Sequence, residues 1–147
     1  MTVKVKVKSK MKQKTDKAMD MYEEKASIHL NNVANMFKNY ASKAMRASTG
    51  GRTYVVTKDG ETHTASIKGN PPAKNTGNLI NSLYVEQATP KRLVAELITE
   101  QKYAKHLENK EGLDRPFMSR RSVPYKETQK YAEKKYKDIS IGDLKIT

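Results

Sequence analysis

Ser82, His106 and Glu108 are the residues that could in principle act as nucleophile, base and orienting acid. Their setting does not support that chemistry. Ser82 lies in no nucleophile-elbow pattern, and neither His106 nor Glu108 belongs to a metal-binding spacing. The other histidines, His29 and His63, stand alone on a helical and a strand-like segment. No two of the three have the helical spacing of a zinc pair. The chain contains no cysteine, which removes thiolate metal sites and disulfides. The residues therefore point away from an enzyme, and no metal or cofactor is expected.

The stretch that looks specialised is Tyr103 to Phe117. Tyr103, His106 and Leu107 share one face of a short helix. Gly112, beside Asp114, breaks it by turn chemistry. Pro116 holds Arg115 extended and delivers Phe117 at a fixed angle. This reads as a clamp that docks one part of a chain on another. Tyr103, Leu107 and Phe117 are expected to hold it to a sheet, and Arg115 is placed to pair with Glu108 across the turn.

The elements that must position this clamp follow from periodicity. Residues 15–47 form the strongest helix. Met19, Tyr22, Ala26, Leu30, Val33, Phe37, Tyr40 and Ala44 recur at three and four, with Thr15 or Asp16 as cap and Gly50-Gly51 as stop. Such a rod, about 50 Å long, rivals a globule of this size. It is expected to kink near Asn31-Asn32 or to project onto a neighbour. Residues 52–68 read as a hairpin about Asp59-Gly60. LYVEQ (83–87) and RLVAELITE (92–100) read as two more strands. A second helix starts at Ser122, buries Tyr125, Thr128, Ala132, Tyr136 and Ile139, shows Lys126, Lys130, Lys134 and Lys137 outward, and ends near Asp138. The expected fold is α+β: a long N-terminal and a shorter C-terminal helix on a small antiparallel sheet of about four strands.

Charge and length bound the rest. The 147 residues fit one domain. Residues 1–14 read as a basic arm, 15–138 as the domain and 139–147 as a tail, a short strand or mobile. Apolar residues make up 36%, so the core is thin and some apolar surface is expected to be buried only in an assembly. The net charge of +13 sits at the ends. Seven lysines against Asp16 give +6 over residues 1–17, and eight cations against Glu127 and Glu133 give +6 over 115–137. A polyanion or an acidic partner is implied. In TVKVKVK (2–8), Val3, Val5 and Val7 alternate with Lys4, Lys6 and Lys8. That is an edge strand, an arm that pairs with a neighbour's sheet, or a lysine row facing DNA phosphates. Lys10 and Lys12 extend the row. No secretory leader and no membrane span is seen, which suggests a protein made in a reducing cytoplasm.

Several short motifs then fall in a recognisable order. Thr76-Gly77 with Leu79 and Ser82 comes first, then Tyr103-Ala104 with Leu107 and Glu108, a turn at Gly112, Arg115-Pro116-Phe117-Met118 and a closing helix. This order resembles the tail-completion, or head–tail joining, proteins of tailed bacteriophages, of the lambda minor tail protein Z type. The motif-bearing part spans residues 76–138. Asn109-Lys110-Glu111-Gly112 replaces the family's more glycine-rich turn, and the lysine-rich N-terminal strand is not a family feature. The resemblance implies a structural virion protein: a homo-oligomeric ring in the neck, between the portal and adaptor proteins and the tail tube or tail terminator. Its role would be to help retain packaged DNA, which it would meet without base readout. It further implies that Thr76, Gly77, Leu79, Ser82, Tyr103, Leu107, Glu108, Gly112, Arg115, Pro116 and Phe117 serve subunit contacts. Composition alone leaves a second class open, a non-specific nucleic-acid-binding module.

Overall fold

Strand and helix periods alternate along the chain, and the elements follow them. A computed structural model describes residues 1–7, 16–55, 57–74 and 77–146. In order these form β1 (Thr2–Val7), α1 (Asp16–Ala47), β2 (Gly50–Val55), β3 (Thr62–Ser66), α2 (Asn78–Ser82), β4 (Tyr84–Glu86), β5 (Val94–Ile98), α3 (Ala104–Glu108), α4 (Val123–Lys135) and β6 (Ile139–Ile141). The architecture is α+β. The long α1 and shorter α4 pack on each other and on an antiparallel sheet of order β4-β5-β1-β6. Among the described residues no helix is long and apolar enough to cross a membrane.

The sheet has the expected number of strands but different members. β1 is not an edge strand or a free arm. It lies in the centre, paired with β5 and β6. The reason is that both its faces are served. Val3 and Val5 are fully buried, in register with Leu97 and Ala95. On the other face Lys4 stands opposite Glu96 and bonds it at 3.1 Å. A lysine row repels pairing only where no carboxylate faces it. Residues 2–7 are thus part of the domain's sheet rather than an appended arm, and 139–141 close its far edge as β6. Lys145 adds a further bridge to Thr2.

The hairpin expected within that sheet stands apart as a two-stranded sheet, β2–β3. Its turn does fall at Asp59-Gly60, with Gly60 at φ 84°. Arg52, Thr53, Tyr54 and Val55 are all exposed, so β2 has no inward face to dock. The register shifts between Gly50 and Thr53. At Gly51 a Cβ would lie 2.5 Å from the Ser66 carbonyl oxygen, so the strands cross there only because the side chain is absent.

α1 buries Ala26, Leu30, Val33 and Phe37, as the stripe predicts. Beyond Phe37 the stripe shifts to Ala41 and Met45, while Tyr40 and Ala44 are only half-buried. Steps of four carry the contact along the sheet where steps of three and four had been read. Asn31 does not break the helix. Its amide donates to the Ala88 carbonyl at 3.1 Å and accepts from the Ala88 N–H at 2.7 Å, which fixes the loop before β5. No residue from 17 to 25 is buried, though Tyr22 and Lys25 line a cavity with Val7 and Tyr136.

α4 begins as expected. The Ser122 hydroxyl accepts from the Tyr125 N–H at 3.3 Å, and Pro124 sits in the first turn. The helix ends at Lys135, three residues earlier than the spacing suggests. Phe37 meets Tyr125 edge-on at 5.9 Å, joining the two helices over the sheet.

Candidate assembly surface

The clamp is a buried turn built around one carboxylate. α3 is short, and its inward face is Ala104, Leu107 and Glu108. Tyr103 and His106 face solvent, so Tyr103, at 45% exposed, does not hold the clamp to the sheet. Phe117 and Met118 do, with no exposed surface, in a core shared with Leu79, Ile80 and Leu83.

Glu108 is 4% exposed, and its Oε1 accepts from three successive backbone amides. Phe117 donates at 2.8 Å, Met118 at 2.5 Å and Ser119 at 3.1 Å. Oriented N–H dipoles supply the positive potential that a buried carboxylate needs. The expected Arg115–Glu108 pair is therefore not formed. Arg115 donates to the Leu113 carbonyl at 2.6 Å, and its own N–H donates to the Leu107 carbonyl. The arginine that closes the turn is Arg121, which bonds the Asp114 carboxylate and the Glu108 backbone carbonyl. Nothing in the spacing of Asp114 and Arg121 announced this contact, because the turn between them sets their distance. Arg121 holds the Asp114 carboxyl below the usual carboxylate range.

Gly112 is required by close approach: a Cβ there would run into the His106 carbonyl oxygen and ring. Asp114 takes a left-handed φ of 51°, and its carbonyl accepts from the Gly69 N–H at 2.7 Å. That bond ties the clamp to the end of the β2–β3 hairpin.

The first motif meets the clamp across a cleft. Gly77, at φ 87°, starts α2. Leu79 is buried, and the Ser82 hydroxyl donates to the Leu79 carbonyl at 2.7 Å and lies 2.8 Å from the Thr99 hydroxyl beyond β5. Gly77, Leu79, Tyr103 and Leu107, with Met45 and Ile80, line a cleft of about 340 Å³. Two motifs more than twenty residues apart in sequence thus share one cavity. Pro116 and Phe117 lie in the core rather than on a surface. Thr76, Lys8, Lys10 and Lys12 fall outside the described residues.

Ser82, His106 and Glu108 share no hydrogen bond among the described residues. His29 stacks on Tyr136 with ring centroids 4.5 Å apart. Of the lysines read as DNA or partner contacts, Lys4 is held by Glu96, which Arg92 also bonds at 3.1 Å, and Lys6 is exposed beside it.

Large apolar side chains are exposed on several elements, Tyr84 on β4, Leu113 in the clamp and Val123 on α4 among them. Tyr54 and Val55 are 50% and 70% exposed on the hairpin, with Ile67 just after it. Met21 and Ile28 are exposed on α1. Lys126, Lys130, Lys134 and Lys137 are all exposed along and just past α4.

Comparison with protein-family models, with curated proteins and with solved structures finds no match to this chain.

Proposed function

We propose that this chain is a structural subunit of the neck of a tailed bacteriophage. In this reading it forms a ring that joins the portal and adaptor region of the head to the tail and helps to retain packaged DNA. The reading is carried by one observation: the β2–β3 hairpin and the N-terminal part of α1 each leave large apolar side chains uncovered. The β2–β3 hairpin, with Tyr54 and Val55, belongs to no larger sheet. From residue 17 to 25 α1 carries no buried residue. A two-stranded hairpin and an uncovered stretch of helix are each marginal in water alone, and both gain from a neighbour's surface. The ordered motifs from Gly77 to Met118 give the reading its place in the virion. Here Glu108, Gly112 and Phe117 act by making the clamp rigid, so that the surfaces around it are presented in fixed geometry.

A nucleic-acid-binding module is the second reading, favoured by the row of exposed lysines on α4. That row would act through phosphate charge, without base readout. A salt-dependent titration of the isolated monomer with duplex DNA separates the two.

The deciding experiment is imaging of intact particles with this chain located in density. A ring at the head–tail junction is expected. Particles that lack the chain, together with a purified protein that stays a protected monomer at high concentration, would overturn the proposal.

A further inference from the structure

α1 is divided by charge. Residues 16–24 carry Asp16, Asp20, Glu23 and Glu24 against Lys17. Residues 25–58 carry Lys25, Lys38, Lys43, Arg46, Arg52 and Lys58 and no acid at all. In a chain of net charge +13, a quarter of the 16 acids fall in those first nine positions. From residue 17 to 25 this acidic segment carries no buried residue; Met21 is exposed within it and Ile28 one turn beyond it.

The basic half borders a groove. Lys38, Lys43 and Arg46 line an open trough of about 550 Å³ between α1 and α2, where Asn39 and Asn81 add amide groups. Among the described residues, neither these three cations nor Asp20, Glu23 and Glu24 enter an ion pair. Both sets lie on one continuous helix. Met21 and Lys43 are about 33 Å apart along it at 1.5 Å per residue, so a single copy cannot bring its acidic end to its own groove.

We propose that the acidic end of α1 docks in the Lys38–Lys43–Arg46 groove of a second copy. This deepens the ring-subunit reading and rests on it. The contact joins opposite charges and covers Met21 and Ile28 in the same step. A nucleic acid in the groove would leave the acidic end unpaired and its apolar side chains in water. Each copy offers one end and one groove, so the contact is heterologous: it propagates head to tail and closes into a ring where the rotation permits.

The test uses the purified full-length protein, with mass measured by light scattering and sedimentation across salt concentration. The wild type is expected to form assemblies larger than a dimer that loosen as salt rises. Lys38→Glu/Lys43→Glu/Arg46→Glu makes both surfaces acidic, and Asp20→Lys/Glu23→Lys/Glu24→Lys makes both basic. Each variant alone is expected to self-associate at least about tenfold more weakly. An equimolar mixture is expected to regain assembly, because each variant's end then meets the other's oppositely charged groove. Circular dichroism and melting of each variant report its folding; a variant that does not fold is replaced by its single substitutions, and the salt series on the wild type stands by itself. A wild type that stays monomeric, an assembly that stops at two, variants that assemble like the parent, or a mixture without rescue would each overturn the proposal. A groove variant that loses DNA binding while the wild type stays monomeric would assign the groove to nucleic acid and overturn it as well. Particles that contain the wild type and both variants equally would reject this contact and leave the neck reading standing. Particles without the wild type would reject the neck reading itself.

Discussion

Glu108 shows how a side chain becomes fixed by what folds around it. Its Oε1 gathers the N–H groups of Phe117, Met118 and Ser119, so three backbone donors depend on one carboxylate. Glu108→Ala would strand them in a buried turn, and a loss of about 3 kcal/mol or more in urea denaturation is expected. Glu108→Gln keeps an acceptor of the same shape and should lose about 1–2 kcal/mol. Equal losses for the two would show that the amides do not rely on that oxygen. Asp114 gives a pH-dependent test. Arg121 lowers its pKa in the folded state. The stability it contributes is therefore fully present above the ordinary aspartate pKa and is lost as pH falls through the lowered folded value. Asp114→Asn tolerates the left-handed φ and removes the charge. Its melting temperature should lie below the parent's at pH 7, and the gap should close in acid below the usual carboxylate range. A gap that persists there would assign the effect to packing.

Among the elements, the clamp and α1 carry the most consequence. Phe117 has no exposed surface and joins the Arg115-Pro116 turn to the core beneath α2. Phe117→Ala is expected to cost about 3–5 kcal/mol in denaturant unfolding. A variant that melts like the parent would mean the clamp does not depend on this anchor. α1 was legible as a helix, and Ala26 through Phe37 were legible as its inner face. Its last turns were not, because a run of small and apolar residues at 40, 41, 44 and 45 permits two faces. Contact with the sheet and with Tyr125 selects Ala41 and Met45. The helix runs unbroken through Asn31-Asn32, where a kink was one of two expectations, and Asn31 spends its polar groups on Ala88, which lies outside the helix and 57 residues away.

For the molecule as a whole, the division between body and uncovered parts matters most. The body needs no partner to bury Val3, Leu30, Phe37 or Phe117. The hairpin contributes little to it, so Tyr54→Ser/Val55→Ser should leave the thermal midpoint within about 2 °C of the parent, as exposed substitutions do. If the hairpin meets a neighbour, the same change should lower assembly mass or incorporation into particles. An unchanged assembly would remove the hairpin from the interface. The excess of positive charge has a molecular meaning too. Lys4 is neutralised on the sheet, whereas the lysines of α4 and of the α1 groove enter no ion pair among the described residues.

By itself the sequence determined the local choices: a long amphipathic helix, a capped second helix, a turn at Asp59-Gly60, a helix break at Gly112, and the α+β class that follows. These depend on side-chain period, on cap and turn chemistry, and on steric freedom at single residues, all written within a few positions of one another. Tertiary structure alone decided that β1 is the centre of the sheet, that the hairpin stands outside it, that Arg121 rather than Arg115 closes the clamp, and that the acidic end of α1 carries no buried residue from 17 to 25. Each of those depends on which strand lies opposite which and on what a folded turn brings near. Such pairings join residues as far apart as Val3 and Leu97, a distance over which period and propensity carry no information.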